Sequence, residues 1–381
     1  MRRMGGRMVR WLAMALVFWA AQASAAEVGV TEDHILLGQS AAFSGPAAQL
    51  GIQMNLGARV YFDQVNRAGG INGRKIEIKM ADDQYEADKA AANTRKLIEQ
   101  DKVFALFGYV GTPTSNAALP IFTAAKVPFF APFTGANSLR EPFNRYVFNI
   151  RASYFDETAK IVEYLTTVGI KNIAVFYQND AYGKTGLDGT ARALEARKLK
   201  VVATASVERN SVDVTKAVDT MMQAQPDAIV LVSAYSSCAA FIKAMKARGY
   251  AGQFHNLSFV GSKALADALG SEGPGVAISQ VMPFPYAGTV AIAREYQKAM
   301  ADAGQKDLNW SSFEGYIAAK VFAEGVRRAG RDLTRERLVN ALESMPRLDL
   351  GGFDVGFAPG NHNGSKFVEL SIIGAGGRFM H

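Results

Sequence analysis

The sequence predicts an α/β protein made of two doubly wound parallel-sheet lobes with a ligand cleft between them. Three observations carry this. Short β-type runs alternate with helical patterns almost throughout. The alternation comes in two sets of similar size. No long Pro- or Ser-rich linker separates the sets, so their connections are short strands that act as hinges rather than tethers. At 381 residues the chain is long for a single core, and two domains are expected. It is 49% hydrophobic and 20% charged, a globular profile.

In the first set, "HILLGQ" reads as a strand and about 51–68 as a helix. A turn and strand follow in "GGINGRKIEIKM", then a helix from Ala87 whose Ala90, Ala91, Thr94, Leu97 and Ile98 share one face. "VFALFG" and "VPFFAP" are the next strands. The second set opens after "RYVFNI" with a helix marked by Phe155, Ala159, Val162 and Leu165. "NIAVFY", "KVVATASV", "AIVLVS" and "NLSFVGS" read as its strands, separated by helices near 183–197, 213–223 and around Cys238. The C-terminal third is helical over about 289–303, 311–329 and 334–344. It closes on two hairpin-like strands, "GGFDVGF" and "KFVELSII".

The formal charge of +7 suggests an acidic partner, but Arg2, Arg3, Arg7 and Arg10 supply four of those charges. They precede "WLAMALVFWAAQASA", and a basic start, a short apolar run and a small-residue end describe a cleaved secretory signal. Without it about +3 remains, too little to argue for nucleic acid. No later run reaches the roughly 18 apolar residues of a spanning helix, so a soluble exported protein is expected. Cys238 is the only cysteine, which excludes an intramolecular disulfide, and burial near a helix start is expected for it.

A doubly wound sheet binds ligands beyond the carboxyl ends of its strands. "FALFGYVGTPTSNAALP" ends a strand, Tyr109 included, and passes into a helix through Gly111, Thr112, Thr114 and Ser115. Free N–H groups at that helix start favour an anion, the hydroxyls add donors, and the glycines allow close approach. A carboxylate held without a formal positive charge is the expectation. Ordinary capping by a Ser/Thr-rich turn is the alternative. "APFTGANSL" repeats the design with Thr134 and Gly135, and "SGPAAQLG" does so with Ser44. Across the cleft the second set offers Tyr182 and Tyr235 at strand ends, each with an apolar face and a polar tip.

No catalytic set is found. The four histidines lack metal-ligand spacing, and the nucleophile-elbow, phosphate-loop and dinucleotide motifs are missing. Asp82 and Asp83 are adjacent after a strand, where loop capping is the expected role. Neither an enzymatic activity, a metal nor a cofactor is expected.

Several stretches together resemble a known family along nearly the whole mature length. They are "GQSAAFSGPAAQLG", "GARVYFDQVNRAGGINGRKIEI", "FGYVGTPTSNAALPIF", "VPFFAPFTGA", "NDAYGKTG" and "SFVGSKALADALG". The chain is similar to the periplasmic solute-binding proteins of branched-chain amino acid ABC transporters, of the leucine/isoleucine/valine-binding type. The resemblance implies the type I fold, two lobes crossed by three hinge strands, with ligand trapped by closure and delivered to a permease. It divides the chain into a signal peptide, 1–26, a first lobe, 27–147 with 281–350, and a second lobe, 148–280 with 351–381. It also implies a periplasmic monomer.

Position by position, the family's carboxylate loop falls on Gly111, Thr112 and Thr114, its second loop on Thr134 and Gly135, and its far-lobe tyrosines on Tyr182 and Tyr235. Two departures stand out. The pocket aromatic of the first loop is Leu50 here, and the acid that receives the ligand's ammonium falls where this chain has Ser262 and Lys263. A lysine does not neutralise an ammonium, so the expected ligand is a branched-chain-type amino acid or a related small carboxylate, such as one without the α-amino group. A ligand-sensing receptor or regulator of the same fold is the alternative function; an exported α/β enzyme is a third class, disfavoured by the missing catalytic set.

Overall fold

The computed structural model describes residues 27–381; the signal peptide predicted over 1–26 lies outside the described residues. The chain begins with β1 (His34–Ala41), α1 (Ala48–Arg67), β2 (Lys75–Asp82), α2 (Ala87–Glu99), β3 (Ala105–Phe107), α3 (Thr112–Ala124), β4 (Phe129–Phe130) and β5 (Val147–Phe148). These strands form one parallel sheet in the order β2-β1-β3-β4-β5. Its central strand β3 is buried on both faces, as the unbroken apolar run required.

The chain then crosses to α4 (Tyr154–Thr167), β6 (Ile173–Gln178), α5 (Ala181–Glu195), β7 (Thr204–Val207), α6 (Thr215–Ala224), β8 (Ala228–Val232), α7 (Tyr235–Ala247), β9 (Gln253–Asn256), α8 (Ser262–Leu269) and β10 (Ala277–Gln280). Caps set several starts: Ser153 and Asp156 form a reciprocal capping box on α4, and Asp180 accepts from the Tyr182 and Gly183 amides on α5. A second crossing leads to α9 (Ala291–Asp302), α10 (Trp310–Ala329), α11 (Arg335–Glu343), β11 (Leu348–Asp349) and β12 (Asp354–Val355), and a third to β13 (Glu369–Ile373) and β14 (Phe379–Met380). The second sheet runs β14-β13-β10-β9-β8-β6-β7. It is parallel except for β13 and β14, which pair antiparallel.

Two readings of the sequence change here. "GGFDVGF" and "KFVELSII" do not form a hairpin, because β12 pairs with β11 while β13 extends the second sheet beside β10. Alternation marks a strand but not its partner. "NLSFVGS" is not a strand either: β9 ends at Asn256, and Ser258–Val260 turn in a short 3-10 helix that places Phe259 between the lobes.

α10 returns from far along the chain to complete the first lobe against α1. The two helices touch through glycines. A Cβ on Gly57 would lie 1.7 Å from the Ser312 carbonyl oxygen, and one on Gly315 2.1 Å from that of Met54. Beside this crossing, Phe62, Phe107, Phe130 and Phe322 pack with ring centroids 5.3–6.3 Å apart. Each such ring buried contributes about 1.5–3 kcal/mol. No helix of the described residues is long and apolar enough to cross a membrane.

Because backbone, not a flexible side-chain end, opposes Gly57, Gly57→Ala must separate α1 from α10. A loss of about 1–3 kcal/mol in urea unfolding is expected. Gly288→Ala, where a Cβ meets nothing within 4 Å, is expected to stay within about 0.5 kcal/mol.

Candidate functional site

The start of α3 faces the junction of the two lobes. Gly111 precedes it at φ 100°, a conformation that favours glycine, and a Cβ there would lie 2.2 Å from the Tyr85 ring. Pro113 sits in the first turn, where its missing N–H costs nothing. The amides of Thr112 and Thr114 have no acceptor among the described residues. Thr112 and Thr134 join hydroxyls at 2.7 Å, and Thr134 donates to the Tyr154 hydroxyl at 3.1 Å. Ser115 is fully buried and its hydroxyl has no partner. The helix start is therefore neutral and rich in donors.

Not every expected residue joins it. The Thr114 hydroxyl bonds back to the carbonyls of Val110 and Gly111 (3.0 Å to the latter), so only its amide is free. Tyr109 turns into the first lobe's core, its ring on Phe129 and its hydroxyl 3.1 Å from Thr94. Ser44 is exposed and donates to Asp82 at 2.5 Å, which holds the first loop in place. Gly135 makes room for Tyr154, whose ring would lie 2.6 Å from a Cβ at that position.

The second lobe brings rings. Tyr182 packs on Phe259 and Tyr154, with centroids 4.6 and 5.0 Å apart, and its hydroxyl is buried without a partner. Phe259 also meets Phe133 and Tyr85 from the first lobe, each at 5.8 Å. Burial holds the phenols of Tyr85 and Tyr182 well above their ordinary pKa and pushes Tyr154 to about 12. All three stay neutral hydrogen-bonding groups.

At one mouth of this interface Leu50 packs beside Gly261 of the second lobe, and the Gln49 amide approaches the Tyr235 hydroxyl at 3.5 Å. A cleft of about 460 Å³ opens there, with Leu50, Tyr235, Lys263, Asp267 and Asp307 in its walls. Lys263 pairs with Asp267 one turn along α8, at 2.7 Å, and does not enter the aromatic cluster. Ser262 is engaged by Gln280, whose amide donates to it at 2.9 Å. At the other edge three successive first-lobe residues grip the second lobe. Asn210 donates to the Gln84 carbonyl, the Tyr85 hydroxyl accepts from Gln178 at 3.1 Å, and Glu86 pairs with Arg209 at 3.0 Å.

Tyr85, Tyr154, Gln178 and Phe259 escaped the sequence reading. Tyr85 carried a usable signal, since it follows β2 at a carboxyl strand end as the other loops follow theirs. Phe259 carried none, being hidden in a segment that scans as strand. Asp82 and Asp83 do cap loops: Asp83 accepts from Ser40 and from the Tyr85 amide.

The sequence profile of the periplasmic binding protein family matches residues 34–370. The chain belongs to that family. Among solved structures, a substrate-binding periplasmic protein from Ralstonia solanacearum is 36% identical, with TM-score 0.86, and the match covers 91% of this chain and 99% of that one. A possible leucine/isoleucine/valine-binding protein from Rhodopirellula baltica SH 1 is 33% identical, with TM-score 0.88 and 94% and 98% covered. Leu/Ile/Val-binding protein homolog 7 of Brucella abortus is 27% identical over 246 residues, 62% of this chain and 61% of its own length, so that alignment spans about three-fifths of the relative. These neighbours have the two-lobed type I architecture, and the family is one of substrate-binding proteins rather than enzymes.

At the hinge of this binding protein lies a buried ionic cluster. Arg151, in the first crossing, donates to Ser258 at 2.7 Å, stands 3.3 Å from Glu314 of α10, and stacks 4.5 Å over Phe133. Burial pulls the Arg151 pKa down, but Glu314 and Glu157 outweigh it and keep the guanidinium charged. Glu157 of α4 accepts from the Ser258 amide and from the hydroxyls of Ser258 and Ser279. Glu314 has no such donors. Burial lifts it to about 7 in spite of Arg151.

A carboxyl raised from 4.5 to about 7 binds its proton more tightly in the folded protein. Its contribution is therefore most favourable below about pH 4.5 and is lost as pH rises toward 7. Asp83, also lifted by burial to about 7, adds the same sign. Glu314→Gln is expected to flatten the fall in unfolding free energy between pH 5 and 8. The component removed is at most about 3 kcal/mol, from about 1.4 kcal/mol per pKa unit. Urea titrations of both proteins across that range check it; parallel pH profiles would contradict it.

Proposed function

We propose that this protein is the exported receptor of an ABC importer, which captures a small carboxylate between its lobes by closure and presents it to permease subunits in the inner membrane. What carries the reading is the start of α3. Two free amides, the Ser115 hydroxyl and the Thr112–Thr134 pair are buried from solvent there, and the Tyr182 hydroxyl of the second lobe is likewise buried without a partner. Polar groups left without partners in a dry interface are costly, and a ligand carboxylate is the group that would satisfy amides and hydroxyls together. Apolar rings on both sides suit a compact hydrocarbon body. Names of relatives that bind leucine, isoleucine and valine agree with a ligand of that size.

Closure is favoured only by contacts that the ligand makes to both lobes at once. The first-lobe residues Thr112, Ser115 and Thr134 would hold the carboxylate, and Tyr182 of the second lobe would meet the rest. Leu50 and Tyr235 stand at the mouth. Periplasmic export, action as a monomer and a division into two lobes, with the return to the second lobe after β12 (Asp354–Val355) rather than at 351, belong to this proposal.

Thermal unfolding of the processed protein across amino acids and small organic acids is expected to show a raised midpoint for at least one carboxylate. Ser115→Ala with Thr134→Val is expected to weaken that binder by roughly 1.5–3 kcal/mol per charge-assisted hydrogen bond removed. Trp310, the only tryptophan after residue 26, sits where α10 meets Phe284 and Phe379 of the second sheet's edge, so its fluorescence reports closure. A panel without any midpoint shift would overturn the proposal.

A further inference from the structure

The groups that meet between the lobes sort by what they can give a ligand. The α3 amides and the hydroxyls of Ser115 and Tyr182 can donate. Every nearby carboxylate is already engaged. Asp180 accepts from the Tyr182 amide at 2.9 Å and from Gln178 at 2.6 Å, and Arg209 stands 3.6 Å away. Glu157 holds its three donors, and Glu314 faces Arg151. Lys263, at the mouth cleft, pairs with Asp267. Asp83, beside Tyr85, likewise accepts from Ser40 and the Tyr85 amide, so the carboxyls here are taken up by groups of the protein and none is held open for an ammonium.

Two side-chain amide oxygens at the lobe contact are left without a partner, that of Asn210 at its outer edge and that of Gln178. Gln178 closes β6 at its carboxyl end, is buried, and has an Oε1 without a partner. Its amide cannot be turned over, because a carboxylate oxygen of Asp180 and the Tyr85 hydroxyl both take hydrogen bonds from Nε2, and Asp180 cannot donate to Oε1. Tyr85, which fixes that orientation, also touches Gly111 at the start of α3. It is held at φ 62° next to Gln84 at φ 55°, both in the left-handed region that non-glycine residues seldom adopt. Such strain persists where the surroundings impose it. Here Asp83 binds the Tyr85 amide at 2.9 Å, and Glu86 is tied to Asn210 at 2.8 Å and to Arg209.

We propose that Gln178, oriented by Tyr85 and Asp180, reads an uncharged hydrogen-bond donor on the ligand, so that the protein selects a hydroxy-carboxylate over the amino acid of the same shape. The inference rests on the carboxylate reading above. An amide oxygen satisfies a hydroxyl fully but leaves an ammonium under-compensated. The unsubstituted acid leaves Oε1 unsatisfied, and a keto acid sets one acceptor against another.

Calorimetric titration of the processed full-length protein tests this with two matched series. One is leucine, 2-hydroxy-4-methylpentanoate, 4-methyl-2-oxopentanoate and 4-methylpentanoate; the other is phenylalanine, 3-phenyllactate, phenylpyruvate and 3-phenylpropanoate. In at least one series the hydroxy acid is expected to bind about tenfold more tightly than its three relatives. Gln178→Met should erase that advantage, bringing the hydroxy acid down to the level of the unsubstituted acid. Gln178→Glu should move the preference toward the amino acid. Tyr85→Phe, which frees the amide without removing it, should shrink the hydroxy preference if Gln178→Met folds poorly. The inference falls if the amino acid binds most tightly to the wild type, if all four members of each series bind alike, or if the variants weaken every compound equally. If no carboxylate of either series binds, the carboxylate reading fails and this inference fails with it.

Discussion

A helix start whose amides have nothing to bind is the constraint around which the interface between the lobes is arranged. Thr112 and Thr114 cannot be satisfied by their own helix, and the sequence places no capping acid in front of them, only Gly111. Exposed to water, such amides cost little. Enclosed, they demand an acceptor. The second lobe brings rings rather than carboxylates to this junction, so it supplies no side-chain acid as that acceptor.

The same economy governs the hinge. Arg151 would be intolerable in the interior without counter-charges, and it finds one on each side: Glu314 from the first lobe's α10, and Glu157 near the start of the second lobe's α4. Because its partners come from different lobes, the guanidinium ties the crossing to both of them. Removing any one member strands the others, so the trio is best read as a device for a defined hinge position and not as a source of net stability.

Much of the architecture was legible because it rests on periodicity. Unbroken apolar runs such as "AIVLVS" gave buried parallel strands, and the helix face near Ala90 fell where expected, while on α4 Val162 and Leu165 are buried but Ala159 is exposed. Partner choice was not legible, since β12 and β13 look alike in pattern yet join different sheets. At the site, the Gly111–Ser115 and Thr134 loops were visible as hydroxyl-rich strand ends. Sequence could not say which hydroxyl turns inward: Thr114 folds back on its own helix while Ser115 remains free, a matter of helical phase within one turn. Tyr85 and Gln178 meet only when two lobes, 93 positions apart in the chain, come together.

The glycine-lined crossing of α1 with α10 also bears on how the molecule is born. Residues 48–67 cannot bury their apolar face until residues 310–329 arrive to cover it. A chain made from its amino end therefore carries an unfinished lobe through most of synthesis, with nothing but its own later length able to complete it. The last helices act as the clasp that ends this period.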